Sequence, residues 1–286
     1  MSEKTYLWKQ KENNPSSVTP FLLGGSEAHP AVLVIPGGGY GGVCESTEGS
    51  PVARKFNELG FHAFVLDYRV APHRFPAPQQ DALRAMRLIR ANAKQWRVIP
   101  DRVAVCGFSA GGHLACSLGT ISDQIPNVEH DSVDAENGVP DAMILCYGVL
   151  VLAPWSNQGT CRNLLGEMPE PEKLKLCSLE KQVGIHTPPA FLWHTISDQM
   201  VCFRNSVVFA QAMSGCNRPC ELHLFPYGDH GMLLGLGTDD VIQWPLLARN
   251  FLETQWKMRS TPNALRERYT NRYQAKMEQT QQTIQK

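Results

Sequence analysis

Gly107-Phe108-Ser109-Ala110-Gly111 is the segment of this chain most ready for chemistry. It follows the apolar run Arg102–Phe108, read as a strand, and opens a stretch read as a helix from Ala110 to about Gly119. A serine between strand and helix in the pattern G-x-S-x-G sits on a sharp, strained turn, a nucleophile elbow. Bulk two residues away on either side would block such a turn, and glycine at 107 and 111 removes it. The helix beginning at Ala110 adds a backbone N–H and a positive dipole end beside the hydroxyl.

A serine hydroxyl is a weak nucleophile until a base takes its proton and an acid orients that base. Behind such an elbow the partners come in the order Ser, Asp/Glu, His. The strand Ala190–Thr195 runs into Ile196-Ser197-Asp198, and the strand Glu221–Phe225 runs into Pro226-Tyr227-Gly228-Asp229-His230-Gly231. Asp198 and His230 therefore leave neighbouring strands at the carboxyl edge of a parallel sheet, where such sheets gather their sites. His113 follows Ser109 on the same helix and reads as a packing or structural histidine, while His194 and His223 fall inside strands. Asp229 adjoins His230 too closely to orient its ring, and Asp81 and Asp141 read as anchors for a helix or a loop.

Serine attack on a carbonyl makes an oxyanion, which needs N–H donors already in place. The strand Ala31–Ile35 leads into Pro36-Gly37-Gly38-Gly39-Tyr40-Gly41-Gly42, where the missing side chains let backbone approach a ligand. Gly38, Gly39 and Ala110 are the expected donors. A phosphate-binding loop is the competing reading, but neither G-x-G-x-x-G with a downstream acidic partner nor G-x-x-x-x-G-K-[ST] is present. No metal or organic cofactor is called for.

The elements that would position these residues alternate along the chain. Ala31–Ile35, Phe61–Tyr68, Arg102–Phe108, Ala142–Leu150, Ala190–Thr195 and Glu221–Phe225 are apolar on both faces and read as buried strands. Ser50 as a cap, Pro51 in the first turn and Gly60 past the end punctuate a helix between the first two. Ala82, Ala85, Met86, Ile89 and Ala93 give Pro78–Trp96 one apolar face, with Arg84, Arg87 and Arg90 mostly off it. Further helices are expected over Asn205–Met213 and Val241–Trp256, and Thr5–Trp8 with Val18–Leu23 as an antiparallel edge. The fold class is α/β, a mainly parallel sheet covered on both faces. Residues 122–140 read as an exposed loop, and the proline-rich stretch 153–189 as a lid or binding insertion.

Taken together, Pro36-Gly-Gly-Gly-Tyr40, Glu48-Gly49-x-Pro51, Asp67-Tyr-Arg-Val-Ala-Pro72, Gly107-Phe-Ser-Ala-Gly-Gly-His113, Arg162-Asn-Leu-Leu-Gly166, Pro188-Pro-Ala-Phe-Leu-Trp-His-Thr195 and Gly228-Asp-His-Gly231 resemble the α/β-hydrolase family of acetyl-xylan-esterase-like and feruloyl-esterase-like carboxylesterases. The likeness runs over about residues 17–254. It implies an α/β-hydrolase fold and hydrolysis of small acyl esters, acetyl groups on carbohydrate among them, with the triad carried onto Ser109, Asp198 and His230. Members of the family often have Asp-Asp where this chain has Ser197-Asp198, and proline at Cys202; the acid carried over is the second of the pair. Some relatives are called xylanases, yet glycoside cleavage generally takes two carboxylates flanking the sugar bond, which is different chemistry. The triad does not separate esters from activated amides, so a serine peptidase or arylformamidase stays open, as does an inert binding module on the same scaffold.

Composition narrows the partners. The 286 residues carry 27 Lys+Arg and 27 Asp+Glu, so the chain lacks the basic excess of a nucleic-acid binder. A small ester or acylated oligosaccharide is the expected ligand. Nine scattered cysteines without a C-x-x-C pair read as buried free thiols in a reducing, cytoplasmic setting. Met1–Gln10 lacks the apolar core of a signal peptide, and the run Ala142–Ala153 is too short to span a membrane. The balance is uneven: residues 255–286 hold seven Lys/Arg against Glu267 and Glu278, a net of +5, which leaves −5 on residues 1–254. The chain is accordingly divided into a hydrolase domain, 1–254, and a basic extension, 255–286. In the extension Leu265, Tyr269, Tyr273 and Met277 recur every four residues. A solvated or frayed helix is the first reading of that segment, docking on the body or on a second subunit of a homo-oligomer the next, and an anionic partner the last.

Overall fold

A computed structural model describes residues 3–9 and 14–260. Eight strands form one sheet: β1 (Thr5–Tyr6), β2 (Ser17–Phe21), β3 (His29–Ile35), β4 (His62–Asp67), β5 (Val98–Phe108), β6 (Ala142–Cys146), β7 (Ala190–Thr195) and β8 (Cys220–Phe225). Their spatial order is β1-β2-β4-β3-β5-β6-β7-β8. Strands β3 to β8 pair in parallel, whereas β1 and β2 form the antiparallel edge expected from the N-terminal runs. Ser109, Asp198 and His230 follow the carboxyl ends of β5, β7 and β8.

Both faces of the sheet are covered, which is why its strands read as unbroken apolar runs. The period of two sends Leu33, Ile35, Val105, Leu145 and Leu192 to one side. There they pack on α2 (Ala77–Ala91), α4 (Ala110–Thr120) and α7 (Arg204–Gly215) through Ala82, Met86, Leu114, Phe209 and Met213. Val32, Val34, Ala104, Cys106, Ile144 and Trp193 face the other way, against Val52 and Phe56 of α1 (Ser50–Glu58) and Trp244, Ala248 and Leu252 of α8 (Trp244–Ser260). Strand β8 departs from the expectation of a buried strand: it lies at the sheet edge and is only half-buried.

Several boundaries differ from the sequence reading for local reasons. The helix expected over Pro78–Trp96 breaks at Asn92, whose side-chain amide donates to Leu88 O at 2.8 Å, and a short α3 (Ala93–Trp96) follows. Strand β6 stops at Cys146 because Tyr147 takes φ +39°, turning the chain so that Val149 N–H reaches Ser109 O at 3.2 Å. Ser50 does not cap α1; it is the helix's first residue, preceded by a π-helical turn over Glu45–Gly49. The helix expected from Val241 opens as a 3₁₀ turn, Val241–Gln243, before α8 begins.

The stretch read as an exposed loop is held in place, and the insertion is folded. Residues 122–140 are tied to α2 by the arginines placed on its open side: Arg84 meets Asp131 at 2.6 Å and Asp134 at 3.0 Å, and Arg90 Nη1 donates to Asn137 O at 2.6 Å. The stretch 153–189 contains α5 (Gln158–Leu165), α6 (Pro171–Leu176) and a 3₁₀ turn, Leu179–Gln182. All nine cysteines are free, but four are not buried: Cys44 is exposed, and Cys202, Cys216 and Cys220 are partly so. No helix among the described residues is long and apolar enough to cross a membrane. The recurring Leu265, Tyr269, Tyr273 and Met277 lie outside the described residues.

Candidate active site

The elbow is built as its glycines require. Ser109 takes φ +52°, in the left-handed region. A side-chain carbon on Gly107 would stand 2.2 Å from Gly111 O, and one on Gly111 would stand 2.2 Å from Ile35 O and 2.4 Å from Pro36 O. Strand β5, α4 and the end of β3 therefore meet with no room for a methyl group. The neighbouring strand holds the turn: Ser109 N–H donates to Cys146 O at 3.0 Å.

The Ser109 hydroxyl lies 2.9 Å from His230 Nε2, and His230 Nδ1 lies 2.7 Å from Asp198 Oδ2. With Nδ1 donating to the carboxylate, Nε2 is left to accept the serine proton. Asp198 is buried yet well supplied with donors. Its Oδ1 accepts from Met200 N–H at 2.8 Å and Val201 N–H at 2.9 Å. Burial raises its carboxyl pKa, but hydrogen bonds from His194, His230 and Val201 outweigh that and hold it below the ordinary carboxylate range. Asp198 is thus ionised at neutral pH.

Two residues that the sequence reading passed over support this pair. His194, assigned to strand packing, sends Nε2 to Val201 O at 2.8 Å and stands 3.3 Å from Asp198 Oδ2, while Ser206 Oγ holds its Nδ1 at 2.9 Å. Ser197 donates to Gly228 O and accepts from Gly228 N–H, both at 2.9 Å, and so joins the loop bearing the acid to the loop bearing the histidine. The only hint in the sequence was adjacency to Asp198.

On the other side of Ser109 lies the glycine loop. The N–H groups of Gly38, Gly39 and Ala110 donate to no protein acceptor among the described residues, so they are free for a ligand. The loop itself is braced. Gly37 N–H donates to Glu48 Oε2 at 2.6 Å, Gly39 O accepts from Asn163 Nδ2 at 2.8 Å, and Tyr40 O accepts from Ala71 N–H at 2.8 Å. Tyr40 is fully buried, with its hydroxyl 2.8 Å from His113 Nδ1. His113 Nε2 donates to Cys177 O at 2.8 Å, and burial lowers this histidine to about 4, keeping it neutral.

A cleft of about 510 Å³ opens over Ser109 and His230. Gly38, Gly39, Thr47 and Glu48 line one part of it, and Asn157, Gly159, Thr160 and Asn163 of the 153–189 insertion line another. A second cavity of about 230 Å³ lies elsewhere on α5, lined by Leu152, Cys161, Leu174 and their neighbours, and touches none of the triad. Among the described residues no group of three or more His, Cys, Asp or Glu side chains comes together as a metal cage.

Mainly parallel sheet, elbow, acid and histidine in this order define an α/β hydrolase. The family model BD-FAE matches residues 23–213, and the chain belongs to that family. Among solved structures it is similar to the acetyl ester-xyloside bifunctional hydrolase from Caldicellulosiruptor lactoaceticus, with 38% identity and a TM-score of 0.84 over 88% of this chain and 96% of that one. Among curated proteins it is 35% identical over 239 residues to Endo-1,4-beta-xylanase B of Butyrivibrio fibrisolvens, covering 79% of this chain and 37% of that protein. It is also 31% identical over 213 residues to an acetylxylan esterase of Xylanibacter ruminicola, covering 73% of this chain and 42% of that protein. The chain thus spans about two-fifths of the length of these two curated relatives.

Proposed function

We propose that this protein is a serine carboxylesterase that removes short acyl groups, acetyl on carbohydrate in particular, through an acyl-enzyme. The observation that carries the reading is the unbroken chain from Asp198 through His230 to the Ser109 hydroxyl, at 2.7 and 2.9 Å, beside three unclaimed backbone N–H groups. Ser109 attacks the ester carbonyl while His230 takes its proton. Asp198 holds the imidazole in the required tautomer and stabilises the imidazolium, and Gly38, Gly39 and Ala110 donate to the oxyanion. His230 returns the proton to the departing alcohol; water, activated by the same histidine, then releases the acid.

An ester is favoured over a glycoside by what lines the cleft. Among the described lining residues Glu48 is the one carboxylate, and its two oxygens are engaged by Gly37 and Tyr147. Glycosidases generally need two carboxyl groups about 5–10 Å apart, both free to reach the sugar. Thr47, Asn157, Thr160 and Asn163 supply hydroxyl and amide groups suited to a polyhydroxylated alcohol portion. The naming of one relative as an acetylxylan esterase supports the same substrate class.

The test is hydrolysis of p-nitrophenyl acetate and of an acetylated xylo-oligosaccharide by wild type and by Ser109→Ala. The substitution should cost about 10⁴-fold or more in kcat with the fold intact. Retention of the wild-type rate by folded Ser109→Ala would overturn the mechanism. Release of acetate from the p-nitrophenyl ester alone would leave an esterase and remove the carbohydrate.

A further inference from the structure

Glu48 belongs to the machinery for a reason the triad does not supply. It sits on the π-helical turn before α1, only 5% exposed, and among the described residues it makes no ion pair with Lys or Arg. A buried carboxylate without a cationic partner costs several kcal/mol unless its oxygens are well bonded. Both are. Oε2 takes the Gly37 N–H at 2.6 Å, and Oε1 takes the Tyr147 hydroxyl at 2.9 Å.

The two donors lead to opposite sides of the reaction centre. Gly37 begins the loop whose next two N–H groups are the proposed oxyanion donors. Capture of its own N–H by Glu48 fixes the peptide that precedes them. A side-chain carbon on Gly37 would stand 2.9 Å from Glu48 Oε2 and 3.0 Å from Ser109 Cβ, so the carboxylate and the serine flank the same glycine. Tyr147 packs its ring against His230 edge to face, with centroids 5.0 Å apart and planes at 72°. Its hydroxyl is tethered at Glu48 and its N–H at Trp193 O, 2.9 Å away, so the surface behind the imidazole is held from both ends.

We propose that Glu48 is a positioning residue of the ester-cleaving site, acting through Gly37 on the oxyanion donors and through Tyr147 on His230, with its charge favouring the imidazolium formed during attack. The inference rests on the esterase reading above. The titratable groups around Glu48 are Cys44 ahead of the turn, Tyr68 after β4, Cys146 and Tyr147 at the end of β6, and His230. Burial leaves the Glu48 carboxyl above the ordinary carboxylate range, and the Gly37 N–H, the Tyr147 hydroxyl and the facing His230 offset only part of that rise. Of these neighbours His230 is the one that turns cationic in the reaction.

Glu48→Gln keeps the size and an acceptor for Gly37 while removing the charge. With p-nitrophenyl acetate its KM should stay within about twofold and its kcat should fall about 10- to 100-fold, the range for a misaligned catalytic group. Tyr147→Phe, which deletes only the hydroxyl, should lower kcat in the same direction by less. Affinity for a trifluoromethyl ketone that mimics the oxyanion should weaken in parallel with kcat in both variants. A merely structural role lowers Tm and leaves the kcat and the inhibitor affinity of the folded enzyme unmoved. That result, or wild-type kcat in folded Glu48→Gln, overturns the proposal; if Glu48→Gln does not fold, Tyr147→Phe decides by its kcat and its inhibitor affinity. Full activity of Ser109→Ala, by contrast, removes the esterase reading itself.

Discussion

Gly38 and Gly39 are neighbours in one loop, both at positive φ and both proposed to donate to the oxyanion, yet alanine should affect them very differently. At Gly38 φ is +126°, and an added Cβ would lie 2.2 Å from Gly42 O and 2.7 Å from Gly42 C. Ordinary contact begins near 3.4 Å, so the loop must open by about 1 Å, and the contacting atoms are backbone with nowhere to rotate. A displacement of about 1 Å costs on the order of 100-fold, and a lost oxyanion donor costs about 10²- to 10³-fold in kcat. Gly39 has φ +63°, close to the +56° that Tyr40 already adopts, and a Cβ there meets only Thr160 Oγ1 at 3.8 Å. Alanine at 39 therefore pays roughly 1–2 kcal/mol of backbone strain and leaves its N–H in place. Initial rates on p-nitrophenyl acetate, with Tm measured alongside, compare the two. Gly38→Ala should lose at least about 100-fold in kcat, and Gly39→Ala no more than about fivefold. Folded Gly38→Ala with wild-type kcat, or equal losses at both positions, would refute the assignment of the donors.

Asp198→Asn replaces the acceptor of the His230 Nδ1 proton with an amide that favours the wrong tautomer, so kcat should fall about 10⁴-fold with little change in KM; a loss under tenfold in single-turnover assays would argue that Asp198 is not the orienting acid. Stability should fall with pH between about 6.5 and 4. Burial lowers both His113 and His62 from 6.5 to about 4, so the unfolded chain binds protons that the native state refuses, and the stabilisation present above 6.5 is lost as pH falls through that window. For fully buried His113 the shift corresponds to about 3 kcal/mol. Urea unfolding at pH 7.5 and 4.5 measures this, and the pH dependence should be shallower in His113→Gln; the same slope in that variant would count against the assignment.

The parts of the site that the sequence exposed share a property: each follows a strand of the parallel sheet, and for Ser109 and Asp198 that strand is apolar on both sides. Ser109, Asp198 and His230 come within five residues of the ends of β5, β7 and β8, so finding those runs located the proposed triad, and strand order brought its members to one edge. The supporting residues lacked such a marker. Glu48 bonds to Gly37 and Tyr147, 11 and 99 residues away, and neither partner can be inferred from local spacing. His194 lies on β7, where alternation accounts for it as packing, and only the return of the chain at Val201 gives its Nε2 an acceptor. Arg84 and Arg90 lacked a marker for their partners. Helical periodicity set them off the apolar face, but the acidic residues that cover them belong to a loop about 50 positions later. A tyrosine beside a glycine loop fits a pocket wall as well as it fits the core; the neutral His113 that receives the Tyr40 hydroxyl decides for the core.

These supports also change what the 153–189 insertion does. Asn157, Gly159 and Thr160 line the cleft, which by itself would make α5 a wall that selects substrates. The same helix sends Asn163 Nδ2 to Gly39 O at 2.8 Å, so it braces the glycine loop as well. Cys177, just past α6, supplies the carbonyl that fixes His113 and, through it, Tyr40. The glycine loop is thus clamped from the Glu48 side at its beginning and from the insertion at Gly39 and Tyr40, leaving the N–H groups between them aimed by elements far apart in sequence. A hole held in this way needs little reorganisation as charge develops, which is where such donors gain their strength. Because one helix both shapes the cleft and holds the donors, a change on α5 that widens substrate choice acts on kcat together with KM, and the two cannot be tuned independently there.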